Sequence, residues 1–492
     1  MNFKILLLIS FISIASLTGC ASSKSAQNFS YSTQFTPEQT EQDVDFLFNA
    51  TRNINPLLFE NPLIVTSFKQ RLDSVRNEIL VPLTRTEFYV RFAPVLSSLQ
   101  DGHTYLSIPF DDISNYLNNG GLLLPFDVIF LDEQIFIKKN YSDDLTFSAG
   151  MEIHSINGVS ANQILLDLSQ LQSGKNPNWG LRRMEGRSDL FKAFLWMKYG
   201  WNDTFDLQVT HHDESIHQIL SGVKIETIRS QRESTNTSNL FNYRLIEHDI
   251  GYLQVSYFGG KTKSFRQFLK STFDQIQKDQ IDHLIIDVRD NVGGNSDQAD
   301  ELLSYFASEP FNSKKKVSVR ASEQFKEHAK QRIPKTLRWL PLQYLDAKGR
   351  AIWRADDGAM VVIDEEPVQP KPKSKRFTGN TYLLINEGSF STAAVFASAF
   401  KRLGYGELIG RTTGGEDGIF YAESINVTLP NNDLNLVISS MKFQLDDESA
   451  RMSKPGVVPN IYVNKILEDE IDSVDTILDE AKKLITNSEI GN

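Results

Sequence analysis

Asn386-Glu387-Gly388-Ser389-Phe390-Ser391-Thr392-Ala393-Ala394 follows four residues of strand character, Tyr382-Leu383-Leu384-Ile385, and leads into a run to Arg402 rich in small residues. A strand that breaks at a glycine and feeds an alanine-rich helix puts Ser391 at or near the helix N-terminus. The unpaired N–H groups and the helix dipole there favour negative charge. A serine alkoxide, or the oxyanion formed when it attacks a carbonyl, is such a charge. The same residues also fit a plain helix cap. The stretch leaves Ser391 open between cap and nucleophile.

Upstream, Ile250-Gly251-Tyr252-Leu253-Gln254-Val255 reads as a strand, and 262–278 as a helix turning Phe265, Phe268, Leu269, Phe273 and Ile276 inward. His283-Leu284-Ile285-Ile286-Asp287-Val288 is a buried strand by its apolar run. Arg289-Asp290-Asn291-Val292-Gly293-Gly294-Asn295 then leads to a helix from Ser296. Strand, Gly-Gly turn and helix build a backbone anion site, because glycine lets N–H groups converge without side-chain clash.

The chain of 492 residues accommodates two to four domains, and its net charge of −11 argues against a nucleic-acid partner. Eight histidines and one cysteine exclude a zinc-ribbon or disulfide framework. With no phosphate loop, His-Glu-x-x-His or EF-hand pattern, neither a metal nor an organic cofactor is expected. At the N-terminus, one positive charge, a short apolar run and small residues make 1–19 an export signal. Its end, Leu17-Thr18-Gly19-Cys20-Ala21, resembles the lipobox of bacterial lipoproteins, which implies lipid on Cys20 and anchoring to a membrane of the cell envelope. The polar segment 20–35 reads as a flexible tether.

Residues 36–118 read as a helical region. Thr36-Pro37-Glu38-Gln39 starts a helix with Val44, Leu47, Phe48 and Thr51 on one face, and helices over 62–79 and 85–99 follow. The region closes on Asp101-Gly102-His103-Thr104, which places His103 at a turn before a strand. In 119–225, Gly150-Met151-Glu152-Ile153-His154-Ser155-Ile156-Asn157-Gly158-Val159 before a helix resembles the core of a PDZ domain, with an apparent insertion at 174–200. Such domains take a peptide C-terminus by strand addition, with Gly120-Gly121 then lining the carboxylate turn. The core spans 236–470 and holds a basic insertion, 309–378, with a tryptophan at Trp339 and Trp353. This segment reads as a solvated surface elaboration, or as a lobe attracting acidic peptides or anionic lipid. Segment 471–492 closes the fold with an amphipathic helix from Asp472 carrying Val474, Ile477, Leu478, Ala481 and Ile485.

Asp287-Val288-Arg289-Asp290-Asn291-Val292-Gly293-Gly294 resembles the Asp-x-Arg-x-Asn-x-Gly-Gly signature of the C-terminal processing and tail-specific proteases, the S41 serine peptidases. Asn386 to Ser391 is similar to their nucleophile segment, and Gly410-Arg411-Thr412-Thr413-Gly414-Gly415 to the glycine-rich turn after it. Gly456-Val457-Val458-Pro459-Asn460 is similar to their closing Gly-x-x-Pro-Asp box, with Asn for Asp. The resemblance covers most of 100–470. It implies a multidomain α/β protein with a crotonase-like core, Ser391 as nucleophile, and oxyanion donors among the N–H groups of Gly293 or Gly294 and of Thr392. It departs at one place. The better-known branch has a lysine base after Gly414, where this chain reads Gly415-Glu416-Asp417-Gly418. The tricorn-like and retinoid-binding-like branches carry a histidine in a segment like Asp101-Gly102-His103-Thr104, which makes His103 the expected base. Glu416 and Glu448 are the candidates to orient it.

The expectation is a lipid-anchored envelope serine endopeptidase acting on protein or peptide C-terminal tails. The alternative is a non-catalytic protein on the same scaffold, binding a peptide or an apolar ligand. A coenzyme A-dependent crotonase sits poorly with export.

Overall fold

The computed structural model describes residues 30–211, 214–232, 240–247, 249–345, 347–447 and 453–490. The expected signal 1–19, Cys20, most of the tether and Glu448 lie outside the described residues. Thr36 accepts the Gln39 N–H and Gln39 returns a bond to the Thr36 N–H, a capping box that opens α1 (Pro37–Ile54). Its buried face, with Val44, Leu47, Thr51 and Ile54, belongs to a small bundle with α2 (Pro62–Arg76) and α3 (Arg85–Ser97). From α3 the chain passes through the His103 turn into β1 (Tyr105–Leu106) and α4 (Phe110–Asn118).

An antiparallel sheet follows, built from β2 (Phe126–Leu131), β3 (Gln134–Asn140), β4 (Glu152–Ile156), β5 (Thr204–His211) and β6 (Glu214–Ser221) in the order β6-β5-β4-β3-β2. Asn157 and Gly158 both take positive φ, 49° and 77°, as a two-residue hairpin turn of the mirror-image type requires. Between β4 and β5 run α5 (Ala161–Ser169), α6 (Pro177–Gly186) and α7 (Ser188–Tyr199).

From Phe241 onward the chain alternates between two further sheets. In chain order the strands are β7 (Phe241–Glu247), β8 (Ile250–Val255), β9 (His283–Asp287), β10 (Lys316–Arg320), β11 (Met360–Asp364), β12 (Asn380–Ile385), β13 (Glu407–Gly410), β14 (Ile419–Thr428), β15 (Asn435–Gln444) and β16 (Ile461–Tyr462). One sheet runs β7-β8-β9-β12-β13-β16 and is parallel except for β7. The other, β11-β10-β15-β14, is antiparallel and takes β1 as an added strand on β15. Helices α8 (Thr262–Asp279), α9 (Ser296–Leu303) and α10 (Thr392–Arg402) pack on one face of the parallel sheet through Phe265, Leu269, Leu302, Phe396 and Phe400. The C-terminal α11 (Thr476–Ile490) covers the other through Ile477, Ala481 and Ile485.

Three expectations change. Segment 309–378 is no detached elaboration: it supplies β10 and β11, and Trp353 packs against the core while Trp339 is 79% exposed. The last helix starts at Thr476, because Ser473 turns left-handed (φ 58°) after a short helix, Leu467–Asp472, and leaves Val474 exposed. The boundary expected at 118 divides no core, since one apolar cluster runs from α1–α3 through the first antiparallel sheet into β10, β14 and β15. That shared core fixes the His103 turn against the sheet that follows the serine helix. Among the described residues no helix is long and apolar enough to cross a membrane.

Candidate active site

Beyond β12 the chain is pinned before it reaches Ser391. The Asn386 side-chain oxygen accepts the N–H groups of Asp290 (2.9 Å) and Gly388 (3.0 Å). Ser389 Oγ donates to the Val288 carbonyl at 2.8 Å and accepts the Asn386 N–H at 3.2 Å. So held, the backbone passes through Ser391 at φ 51°, ψ −122° and enters α10. That conformation costs a residue with a Cβ on the order of 1–3 kcal/mol. Ser391 is the N-cap by position, yet its side chain makes no capping bond. Instead Oγ lies 3.0 Å from His103 Nε2.

His103 is positioned by a different device. Asp101 is buried and accepts the His103 N–H (3.0 Å) and Ser439 Oγ (3.0 Å) on one oxygen, and Asn55 Nδ2 (2.9 Å) and Thr104 Oγ1 (2.6 Å) on the other. The ring stacks on Phe390, centroids 5.0 Å apart, and Phe390 stacks on Trp179 of α6 at 4.2 Å. Burial pushes the imidazole below its ordinary pKa, against the opposing charge of Asp101 and the backbone of Tyr421. A neutral imidazole within hydrogen-bond reach of a hydroxyl is what proton abstraction from serine requires.

Nδ1 of the ring is buried and has no hydrogen-bond partner among the described residues. Glu416, expected to orient the ring, is therefore not bonded to it. It lies buried by the Asp101-Gly102 turn, where burial pushes its carboxyl up to about 7; its own N–H and that of Gly102 oppose the rise, and the Asp101 charge adds to it. The carboxyl is thus met by backbone, not by imidazole.

Of the three expected oxyanion donors, one is corrected. The Gly293 N–H is spent on Asn291 Oδ1 at 2.8 Å, because the Asn291 side chain turns back over its own loop. The N–H groups of Gly294 and Thr392 have no acceptor among the described residues, and both residues line the same cleft as Ser391 and His103. The two are joined by Thr392 Oγ1 donating to the Gly294 carbonyl at 2.7 Å. The close approach depends on glycine: a Cβ on Gly293 would lie 2.7 Å from Ser391 Cβ, and one on Gly294 1.9 Å from the Phe258 carbonyl oxygen.

Gly120 and Gly121 are also corrected. Their N–H groups donate to Leu117 and Tyr116 carbonyls, ending α4 with Gly120 left-handed (φ 84°), so neither is free to meet a carboxylate. The site opens into a cleft of about 1960 Å³ with Val317, Val319 and Phe420 of the second sheet on one wall and Trp179, Arg182 and Arg183 of α6 on another. Arg182 holds Asp290 through two hydrogen bonds of 2.8 Å, tying α6 to the loop after β9. The sequence reading missed this α6 wall; a tryptophan and three arginines within 179–187 were the available signal.

A serine and a neutral histidine in contact, beside two unused N–H groups at a strand-to-helix turn, define a hydrolase-type site. Residues 249–463 match the family profile described as Peptidase family S41. His103 lies outside the matched stretch. No curated protein sequence matches the chain. Among solved structures, mature CPAF is similar at 16% identity and TM-score 0.63, covering 92% of this chain and 97% of that one. Mature CPAF complexed with lactacystin aligns at 14% identity and TM-score 0.62, covering 93% and 99%. The photosystem II D1 C-terminal processing protease aligns at 14% identity over 89% of this chain and 99% of that one, with a TM-score of only 0.39.

Proposed function

We propose that this protein is a serine endopeptidase hydrolysing protein or peptide substrates of a bacterial cell envelope. The observation that carries the reading is the 3.0 Å contact of Ser391 Oγ with His103 Nε2 inside an open cleft. Ser391 attacks the scissile carbonyl as His103 takes its proton, and the oxyanion is received by the N–H groups of Gly294 and Thr392. The imidazolium returns the proton to the leaving amine, and the same ring activates water against the acyl-enzyme ester. With Glu416 facing backbone, Glu448 is kept in this proposal as the carboxylate that orients the ring. The 119–225 region, PDZ-like in sequence, presents the substrate's tail, and lipid on Cys20 holds the protein at a membrane. A purely binding role was motivated by the missing lysine, and the histidine supplies a base in its place.

The test is incubation of the protein and its Ser391→Ala variant with several unfolded substrates at pH 6 to 9, with fragments read by mass spectrometry. Cleavage by wild type alone supports the reading, and cleavage by neither overturns it. Fractionation of cells expressing Cys20→Ala tests the anchor: the variant should move from membranes to the soluble fraction.

A further inference from the structure

The two adjacent arginines of α6 are used differently. Arg182 is paired with Asp290 through two hydrogen bonds and with Glu185 at 2.9 Å. Arg183 lines the cleft with Tyr89, Tyr105 and Trp179, and among the described residues its guanidinium has no ion pair and no hydrogen bond. Its contact is the face of Trp179, 5.3 Å from the ring centroid. Burial pulls its proton affinity below that of an ordinary guanidinium, and only the phenols of Tyr89 and Tyr105 oppose this, with Arg187 adding to it.

A guanidinium partly drawn out of water with no carboxylate beside it among the described residues keeps a desolvation cost that the Trp179 ring and the two phenols offset only in part. Its place over the Trp179 ring leaves its N–H groups available for the paired hydrogen bonds that carboxylates accept. Its place matters as much as its charge. Trp179 stacks on Phe390 and Phe390 on His103, so Arg183 stands on the wall that continues from the base. A peptide laid across Ser391 would pass it.

We propose that Arg183 is a specificity-determining residue that binds a carboxylate of the substrate inside the cleft. The ligand's being a peptide rests on the peptidase reading; its being an anion does not. The carboxylate has two possible sources, an aspartate or glutamate side chain or the free C-terminus, and the test separates them.

The probes are fluorescein-labelled peptides of alternating alanine and leucine, carrying one glutamate at successive positions. Each is paired with its glutamine counterpart and made with a free-acid or an amidated end. Affinity is measured on Ser391→Ala protein, which does not require turnover, and kcat/KM on the serine enzyme. The expected result is a preference of about tenfold or more for one carboxylate-bearing probe over its neutral partner. It should shrink to near unity in Arg183→Met and invert toward a lysine-bearing probe in Arg183→Glu. A preference tied to glutamate position identifies a side-chain acid, and one tied to the free end identifies the C-terminus. Equal binding of acid and neutral probes by the Ser391→Ala protein would overturn the proposal, as would a preference that survives in Arg183→Met. Carboxylate-selective binding without any hydrolysis by wild type would leave the carboxylate subsite standing and remove the peptidase reading.

Discussion

The two halves of the serine–histidine pair are held by opposite means. Ser391 is placed by main chain: a loop pinned through Asn386 and Ser389 forces it to positive φ, and glycines let the neighbouring loop close in. His103 is placed by side chains, through the four bonds that Asn55, Thr104, Ser439 and its own N–H direct at Asp101. The serine side should therefore respond to changes in backbone freedom, and the histidine side to the loss of single polar atoms.

The largest effect that sharpens this contrast is at Ser391 itself. Ser391→Ala and Ser391→Gly should both lose hydrolysis by about 10⁴-fold or more. Ser391→Gly should nonetheless melt about 1–2 °C above Ser391→Ala, because glycine releases the strain of the positive φ. Equal melting temperatures would show that the loop is not held by backbone strain. On the histidine side, Asp101→Asn turns an amide toward two of the donors that Asp101 accepts. It should lower kcat about 100-fold and stability by about 3 kcal/mol, measured by stopped assays and by denaturant titration.

The pH profile tests the same side more finely. Activity should rise through an apparent pKa below 6.5, as His103 loses its proton. Because the folded ring binds protons less readily than the unfolded one, its contribution to stability is full above 6.5 and is lost as pH falls toward the folded value. Glu416 works in the other direction. Its folded value of about 7 exceeds the ordinary 4.5, so its contribution is full below 4.5 and is lost as pH rises through 7. Glu416→Gln should flatten that alkaline loss in a thermal melt series while leaving the acid limb of activity in place. An acid limb displaced by more than about one unit would instead show that Glu416 acts on the ring. The smallest effect is Ser439→Ala, which removes one bond to Asp101 and should cost about 1 kcal/mol by calorimetry with activity nearly retained.

The same contrast explains what could be read in advance. The strand–glycine–helix units at 283–303 and 382–402 announce themselves locally, by apolar runs, glycines and small residues adjacent in sequence, and those elements form. His103 could be named only through family resemblance, because the atoms that fix it come from positions as distant as Asn55 and Ser439. Gly120-Gly121 and Gly293-Gly294 looked alike as dipeptides, and what separates them is where their N–H groups go. The first pair closes a helix, whereas the second leaves one donor free. Glu416 followed from its place in the glycine-rich turn, and no local pattern told which side of that turn its carboxyl would meet.

The bond between His103 and Ser391 closes a gap of 288 positions. The loop beside it is braced later still, by Arg289 reaching Asp475 at 2.8 Å. Synthesis therefore yields the proposed base first, the proposed nucleophile 288 positions later and the brace at Asp475 after both. A growing or truncated chain that stops anywhere between His103 and Ser391 holds one reagent without the other. Under the proposed mechanism such a chain cannot cut its own unfolded segments or its neighbours, so the order of synthesis acts as a safeguard.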